Sequence, residues 1–184
     1  MIELWYETHS ISVDNERGIA TGWLPGELSE QGHVLAASLG ERLRGRRAGA
    51  LFASDLYRAV QTAEIARQLY AAPLILDPLL RECNYGDLNG HPKEEIDALR
   101  LASIDQPFPN GESYSEVVER TRRFLLSLGP EWEGTTIMLV SHSANRWALD
   151  LLFNNRPLSD SMTSPFNWQP GWRYELTDGW QERL

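Results

Sequence analysis

A single cysteine in 184 residues leaves no partner for an internal disulfide, so Cys83 is expected to pack in the interior and a reducing, cytoplasmic location is expected. No apolar run approaches the roughly 20 residues of a membrane span, and the first residues carry Glu3 and Glu7 rather than a basic leader. Basic charge is scarce as well: 17 Lys and Arg face 26 Asp and Glu, for a net charge of -9 and a pI near 4.9. Nucleic acid and anionic membrane surfaces are therefore excluded as expected partners, and an anionic substrate would need positive charge concentrated locally. Metal-ligand spacings such as H-E-x-x-H or H-x-H are missing, His91-Pro92-Lys93-Glu94 being the nearest look-alike, and neither a metal nor a cofactor is expected. The G-x-S-x-G turn of serine hydrolases is absent too, although Ser141 and Ser143 flank His142.

With 42% hydrophobic residues and no repeat, linker or low-complexity segment, residues 1–184 are expected to form one domain with a substantial core. Three apolar runs share a design. Ile2 to Thr8 ends in His9, Leu51-Phe52-Ala53 ends in Ser54-Asp55 followed by Arg58, and Thr136 to Val140 ends in Ser141-His142. Helical spacing marks segments beginning after Ser29 (Val34 to Leu43), near Tyr57, after Glu112-Ser113, and from about Asn145 to Phe153. Asp55 is expected to cap the second of these, which puts Arg58 in its first turn, where it opposes the helix dipole unless an anion shares the site. Leu74 to Leu76 is expected to add a strand and Tyr174-Glu175-Leu176 an edge strand. Alternating strands and helices predict a three-layer α/β/α sandwich whose mostly parallel sheet has helices on both faces. In such folds ligands bind at the carboxyl ends of the strands, so His9, Arg58 and His142 are expected to share one rim.

Two histidines, an arginine and a carboxylate fit phosphoryl transfer to histidine. A neutral imidazole attacks phosphorus, cationic donors stabilise the equatorial oxygens, and an acid protonates the leaving oxygen. Glu82, in a turn-like segment after a strand, is the candidate acid.

These residues carry a resemblance. The chain resembles the histidine phosphatase superfamily, with its phosphoglycerate mutase-like fold, over nearly its whole length. Thr8-His9-Ser10-Ile11-Ser12-Val13-Asp14-Asn15 falls on the opening motif Arg-His-Gly-x-Thr-x-x-Asn, matching at His9 and Asn15. Gly22-Trp23 and Leu28-Ser29-Glu30-Gln31-Gly32 are similar to the next segment, and Ser54-Asp55-Leu56-Tyr57-Arg58 through Thr62-Ala63 matches intact. Leu80-Arg81-Glu82 with Tyr85-Gly86, Gly111-Glu112-Ser113 and Ser141-His142-Ser143 complete the pattern.

The resemblance implies that His9 is the nucleophile, Arg58 and His142 bind the phosphoryl group, Glu82 donates the proton, and Asn15 contacts phosphate. The family arginine before the nucleophile is Thr8 here, and Ser10 and Ser143 replace glycines. Losing one charge-assisted clamp costs on the order of 2 to 4 kcal/mol of transition-state stabilisation. Arg17, Arg81 and Arg146 are the candidate replacements, and Trp23, Trp168 and Trp172 are candidates for an aromatic wall. The expected activity is hydrolysis of a small-molecule phosphomonoester by a monomer or homodimer, through a metal-independent phosphohistidine on His9. The short span between Glu82 and His142 favours hydrolysis over mutase chemistry. A non-catalytic relative that binds an anionic ligand, and a different chemistry using Ser10, Ser12 or Ser143, stay open.

Overall fold

The computed structural model describes residues 1–46, 48–70, 72–165, 170–177 and 179–183. In chain order the elements are β1 (Ile2–Thr8), α1 (Val13–Glu16), β2 (Ile19–Ala20), α2 (Glu30–Leu43), β3 (Ala50–Ala53), α3 (Tyr57–Ala66) and β4 (Leu74–Leu76). After them come β5 (His91–Pro92), α4 (Lys93–Leu99), α5 (Tyr114–Ser127), β6 (Thr136–Ser141), α6 (Ser143–Asn154), α7 (Leu158–Thr163) and β7 (Trp172–Leu176). The main sheet has the order β4-β3-β6-β1-β7, and β2 pairs with β5 in a small two-stranded sheet. All main-sheet pairings are parallel except β1 with β7.

Side-chain alternation along the central strands sorts the core onto two faces. Leu4, Tyr6, Phe52, Ile137 and Leu139 pack with Phe124, Leu125 and Leu149 of α5 and α6. Leu51, Ala53, Met138 and Val140 pack with Leu39 and Leu43 of α2 and with the alanines of α3. The expected three layers are thus present. β6 is buried from Ile137 to Ser141, as a strand covered on both faces must be, whereas β7 alternates exposed Arg173 and Glu175 with buried Tyr174 and Leu176, as expected of an edge. A third cluster, containing Cys83, Ile96, Phe108, Tyr114, Ala144 and Met162, lies over the carboxyl ends of the strands. Cys83 is buried and free, consistent with packing.

Helix starts follow local chemistry. The Ser29 hydroxyl accepts from the Gly32 amide at 3.1 Å to open α2. Ser113 opens α5 with a capping box in which the Glu116 carboxylate accepts the Ser113 amide at 2.7 Å. One expectation fails: Asp55 does not cap α3. Its N-cap is Leu56, with no side-chain bond, and the Ser54 hydroxyl accepts the Leu56 amide instead at 3.2 Å. Asp55 forms an ion pair with Arg81. The expected placement of Trp168 lies outside the described residues.

Two substitutions test this account. Ser113→Ala removes one cap and should cost about 1 kcal/mol. Met138→Ala opens a cavity between β6 and the α2/α3 layer and should cost about 2 to 5 kcal/mol. Urea unfolding should rank them in that order; the reverse ranking would contradict the assignment of Met138 to the packed core.

Candidate active site

Backbone hydrogen bonds align three strand ends into a rim. The His9 amide donates to the Ser141 carbonyl at 2.8 Å and the Ser54 amide to the Val140 carbonyl at 3.0 Å. His9 therefore emerges beside the end of β6, and Arg58 in the first turn of α3 beyond β3. The Ser10 amide donates to the Thr62 hydroxyl at 3.0 Å, and that hydroxyl donates to the Arg58 carbonyl at 2.8 Å, which fastens the His9 loop to α3.

Arg58 is buried, 2% exposed, and its guanidinium is spent on named partners. Nη2 donates to the Gly22 carbonyl at 2.9 Å, Nη1 to the Leu24 carbonyl at 3.4 Å, and Nε to His9 Nε2 at 3.3 Å. Gly22 has φ +54°, and a Cβ there would fall 1.8 Å from the Asn89 amide oxygen, so only glycine offers its carbonyl to Arg58 in this way.

The partners fix both tautomers. His9 Nδ1 lies 2.7 Å from the Ser10 carbonyl, which can only accept, so Nδ1 carries the proton. Nε2 then holds a lone pair directed at Arg58. Burial first, and the Arg58 charge second, hold the His9 pKa down to about 3. His142 Nδ1 faces Arg58 Nη2 at 3.5 Å, which assigns its proton to Nε2. That Nε2 is buried with no partner among the described residues. Burial and the Arg58 charge also push the His142 pKa well below its ordinary value. The two rings lie 5.0 Å apart, centroid to centroid.

A cavity of about 850 Å³ opens onto Thr8, His9, Ser10, Asn15, Arg58, Glu82, Ser143 and Arg146, so eight of the ten expected site residues share one wall. His142 is completely buried behind it and contributes no surface. Five of the chain's 17 Lys and Arg line this cavity (Arg42, Arg58, Lys93, Arg100, Arg146), against three of its 26 Asp and Glu. Positive charge is thus concentrated locally in an acidic protein, as an anionic ligand requires.

Glu82 stands at the cavity with its proton affinity raised by burial, against lowering by the Cys83 amide and by Arg58 and Arg120. A half-buried carboxyl of this kind holds a proton more readily than an exposed one. The Asn15 amide oxygen accepts from the Ser12 amide at 3.0 Å in the capping box of α1, so it reaches the cavity as a fixed group. The Ser12 hydroxyl is spent in the same box.

Of the three candidate replacement arginines, only Arg146 lines the cavity. It is held by Asp150 at 2.8 Å and lies 5.2 Å from the Trp172 ring, while its Nε has no partner among the described residues. Arg17 is exposed and away from the cavity. Arg81 is committed to Asp55 at 2.6 and 2.7 Å. Trp23 and Trp172 do not line the cavity, which corrects the expected aromatic wall. Trp23 Nε1 instead donates to the Glu82 carbonyl at 2.6 Å. His91 pairs with exposed Glu95 at 3.1 Å and does not line the cavity. Sequence reasoning missed Lys93, Arg100, Trp147 and the α7 residues Ser161 to Thr163 as cavity wall. No motif marks them, because α4, α6 and α7 meet only in the folded chain.

Comparison with known proteins identifies the family. The family model for the histidine phosphatase superfamily (branch 1) matches residues 7–166. Fructose-2,6-bisphosphatase TIGAR B of Danio rerio is 40% identical over 109 residues, which is 55% of this chain and 42% of that protein, so the match spans less than half of that relative. The probable phosphoglycerate mutase GpmB of Erwinia tasmaniensis is 31% identical over 150 residues, 77% of this chain and 70% of that one. Among solved structures, YhfR of Bacillus stearothermophilus superposes with a TM-score of 0.85 at 26% identity, covering 97% of this chain and 93% of that one. A mycobacterial glucosyl-3-phosphoglycerate phosphatase does so with a TM-score of 0.75 at 29% identity, covering 87% and 82%. The extent of the family match, on a mostly parallel α/β sheet of the phosphoglycerate mutase-like kind, places the chain in the histidine phosphatase superfamily.

Proposed function

We propose that this protein hydrolyses a small phosphomonoester through a phosphohistidine on His9, without a metal ion. The observation that carries the reading is the state of the His9 ring: Nδ1 is protonated against the Ser10 carbonyl, and Nε2 is unprotonated beside the Arg58 guanidinium at the cavity wall. In the first step the Nε2 lone pair forms a bond to phosphorus. The ester P–O bond breaks, and its electron pair leaves on the alcohol oxygen, which takes the Glu82 proton. In the second step the Glu82 carboxylate takes a proton from water, the water oxygen attacks phosphorus, and the P–N pair returns to Nε2. Arg58 and the His142 Nε2–H are assigned to the charge that develops on the equatorial oxygens, the latter after a small movement that opens its ring to the cavity. Ser10, Ser143 and Asn15 supply neutral contacts beside the phosphoryl group.

Thr8 supplies a hydroxyl but no charge. Arg146 takes over the missing cationic contact, supported by its place on the cavity wall and its anchoring by Asp150. A second reading, a binding protein without turnover, is favoured by Thr8 and by the heavy use of Arg58 on main-chain carbonyls.

Hydrolysis of an aryl phosphate, with an alkali-stable phosphoryl adduct seen by mass spectrometry, separates the two readings. The phosphatase reading expects both to vanish in His9→Ala, whereas saturable phosphate binding with neither turnover nor adduct establishes the second. Arg146→Met should lower kcat/KM by roughly a hundredfold; an unchanged value would remove Arg146 from the site.

The pH dependence has a definite sign. Because the His9 pKa is held down to about 3, its lone pair stays available throughout pH 5 to 8. The rate should therefore show no loss from protonation of His9 near pH 6.5. Glu82 acts as acid in its protonated form, so with an alkyl phosphate kcat should decline as pH rises through its elevated pKa. Glu82→Gln should abolish that alkaline limb, and a limb that persists would assign the proton donor elsewhere.

A further inference from the structure

The Glu82–Cys83 peptide group joins the candidate acid to two side chains that the reaction itself does not use. Its carbonyl accepts from Trp23 Nε1 at 2.6 Å and from Arg120 Nη2 at 2.9 Å. Its N–H, on the opposite edge of the same plane, donates to Glu82 Oε1 at 2.8 Å. A peptide group is rigid, so whatever fixes its carbonyl also fixes the direction of its N–H. Here that N–H holds the carboxyl oriented.

We propose that Trp23 is a positioning residue for Glu82, acting through the 82–83 peptide plane to hold the carboxyl in its proton-donating orientation. The inference rests on the assignment of Glu82 as general acid.

The indole is itself held. The Arg81 guanidinium lies 4.6 Å from the centroid of the Trp23 ring and is fixed by both oxygens of Asp55, immediately before α3. The Trp23 amide donates to the Asn89 side chain at 3.2 Å, and the same oxygen accepts the Tyr85 amide at 3.0 Å. On the other side, Arg120 also donates to the Leu79 carbonyl at 2.9 Å and pairs with Glu112 at 3.0 Å. Glu112 in turn accepts the Asn84 amide at 2.9 Å. The loop bearing Trp23 also supplies the Gly22 and Leu24 carbonyls to Arg58. One loop therefore sets both the cation beside the nucleophile and the plane behind the acid.

A residue that acts only by orienting the acid matters in proportion to the leaving group's need for a proton. An alkyl alkoxide must be protonated as it departs, whereas 2,4-dinitrophenolate need not be. Trp23→Phe keeps an aromatic ring under Arg81 and removes the N–H. It should lower kcat/KM, which reports only the steps up to departure of the alcohol and not the later water attack, about tenfold to a hundredfold for an alkyl phosphate and less than about threefold for 2,4-dinitrophenyl phosphate, a part of the usual contribution of general acid catalysis. In a Glu82→Gln background the same change should cost nothing further with the alkyl phosphate, since both act on one proton transfer. Arg81→Met leaves the indole N–H in place but removes what packs on it, and should give the same pattern in weaker form.

Equal losses on the two substrates, or losses that add to those of Glu82→Gln, would overturn the proposal. If Trp23→Phe fails to fold, Arg81→Met carries the test by the same criterion. A Glu82→Gln variant that is itself indifferent to the leaving group would instead overturn the assignment of Glu82, and the inference with it.

Discussion

A buried guanidinium organises the site. Removing the Arg58 charge from water is costly, and among the described residues no carboxylate pairs with it directly. Two main-chain carbonyls and a histidine lone pair take its hydrogens instead. That arrangement leaves the positive charge unneutralised at the cavity wall and forces His9 to present Nε2 without a proton. The same charge, with burial, keeps His142 neutral and assigns its proton to Nε2. A cation in the first turn of α3 opposes the helix dipole. The conflict disappears when an anion occupies the cavity, so Arg58 is more at ease in the liganded protein than in the empty one.

The scaffold delivers these groups by simple means. Parallel pairing of β3, β6 and β1 brings three chain segments to one level, and the hydrogen bonds from His9 and Ser54 to the end of β6 set their heights. The carboxylate side is built differently. Glu82 lies in irregular backbone held by Trp23, Arg120, Glu112 and Asn89, so its orientation depends on side chains from distant parts of the chain. At the rim Thr8 offers a hydroxyl and no charge, and Arg146 is a cation one turn into α6. The two lie on opposite sides of His9 in sequence, and β7, whose Trp172 packs on both Tyr6 and Arg146, links them in space.

Most of the fold was legible because each central strand is a short apolar run that ends in polar residues, and the long helices show apolar spacing, after a Ser cap in α2 and α5. The site histidines and Arg58 were legible for the same reason, since they follow directly on those runs. The helix α7 was not: Leu158–Thr163 is short, follows Pro157 and carries too few apolar residues to set a period. Asp55 was assigned to a cap from local spacing alone, but a bidentate arginine 26 residues away outcompetes a backbone amide for its carboxylate. Trp23 was assigned to the cavity because it follows the nucleophile loop. Its single N–H reaches a carbonyl 59 residues on, a pairing that leaves no periodic trace in sequence.

The account turns on which nitrogen of which histidine becomes phosphorylated. The direct measurement is 31P–15N coupling in the adduct formed by protein carrying 15N-labelled histidine, trapped at high pH, where phosphohistidine is stable. The phosphoryl group is expected on Nε2 of His9, the nitrogen that the Ser10 carbonyl leaves unprotonated. A phosphoryl group on Nδ1, or on any other residue, would contradict the assignment of His9 Nε2 as the nucleophile.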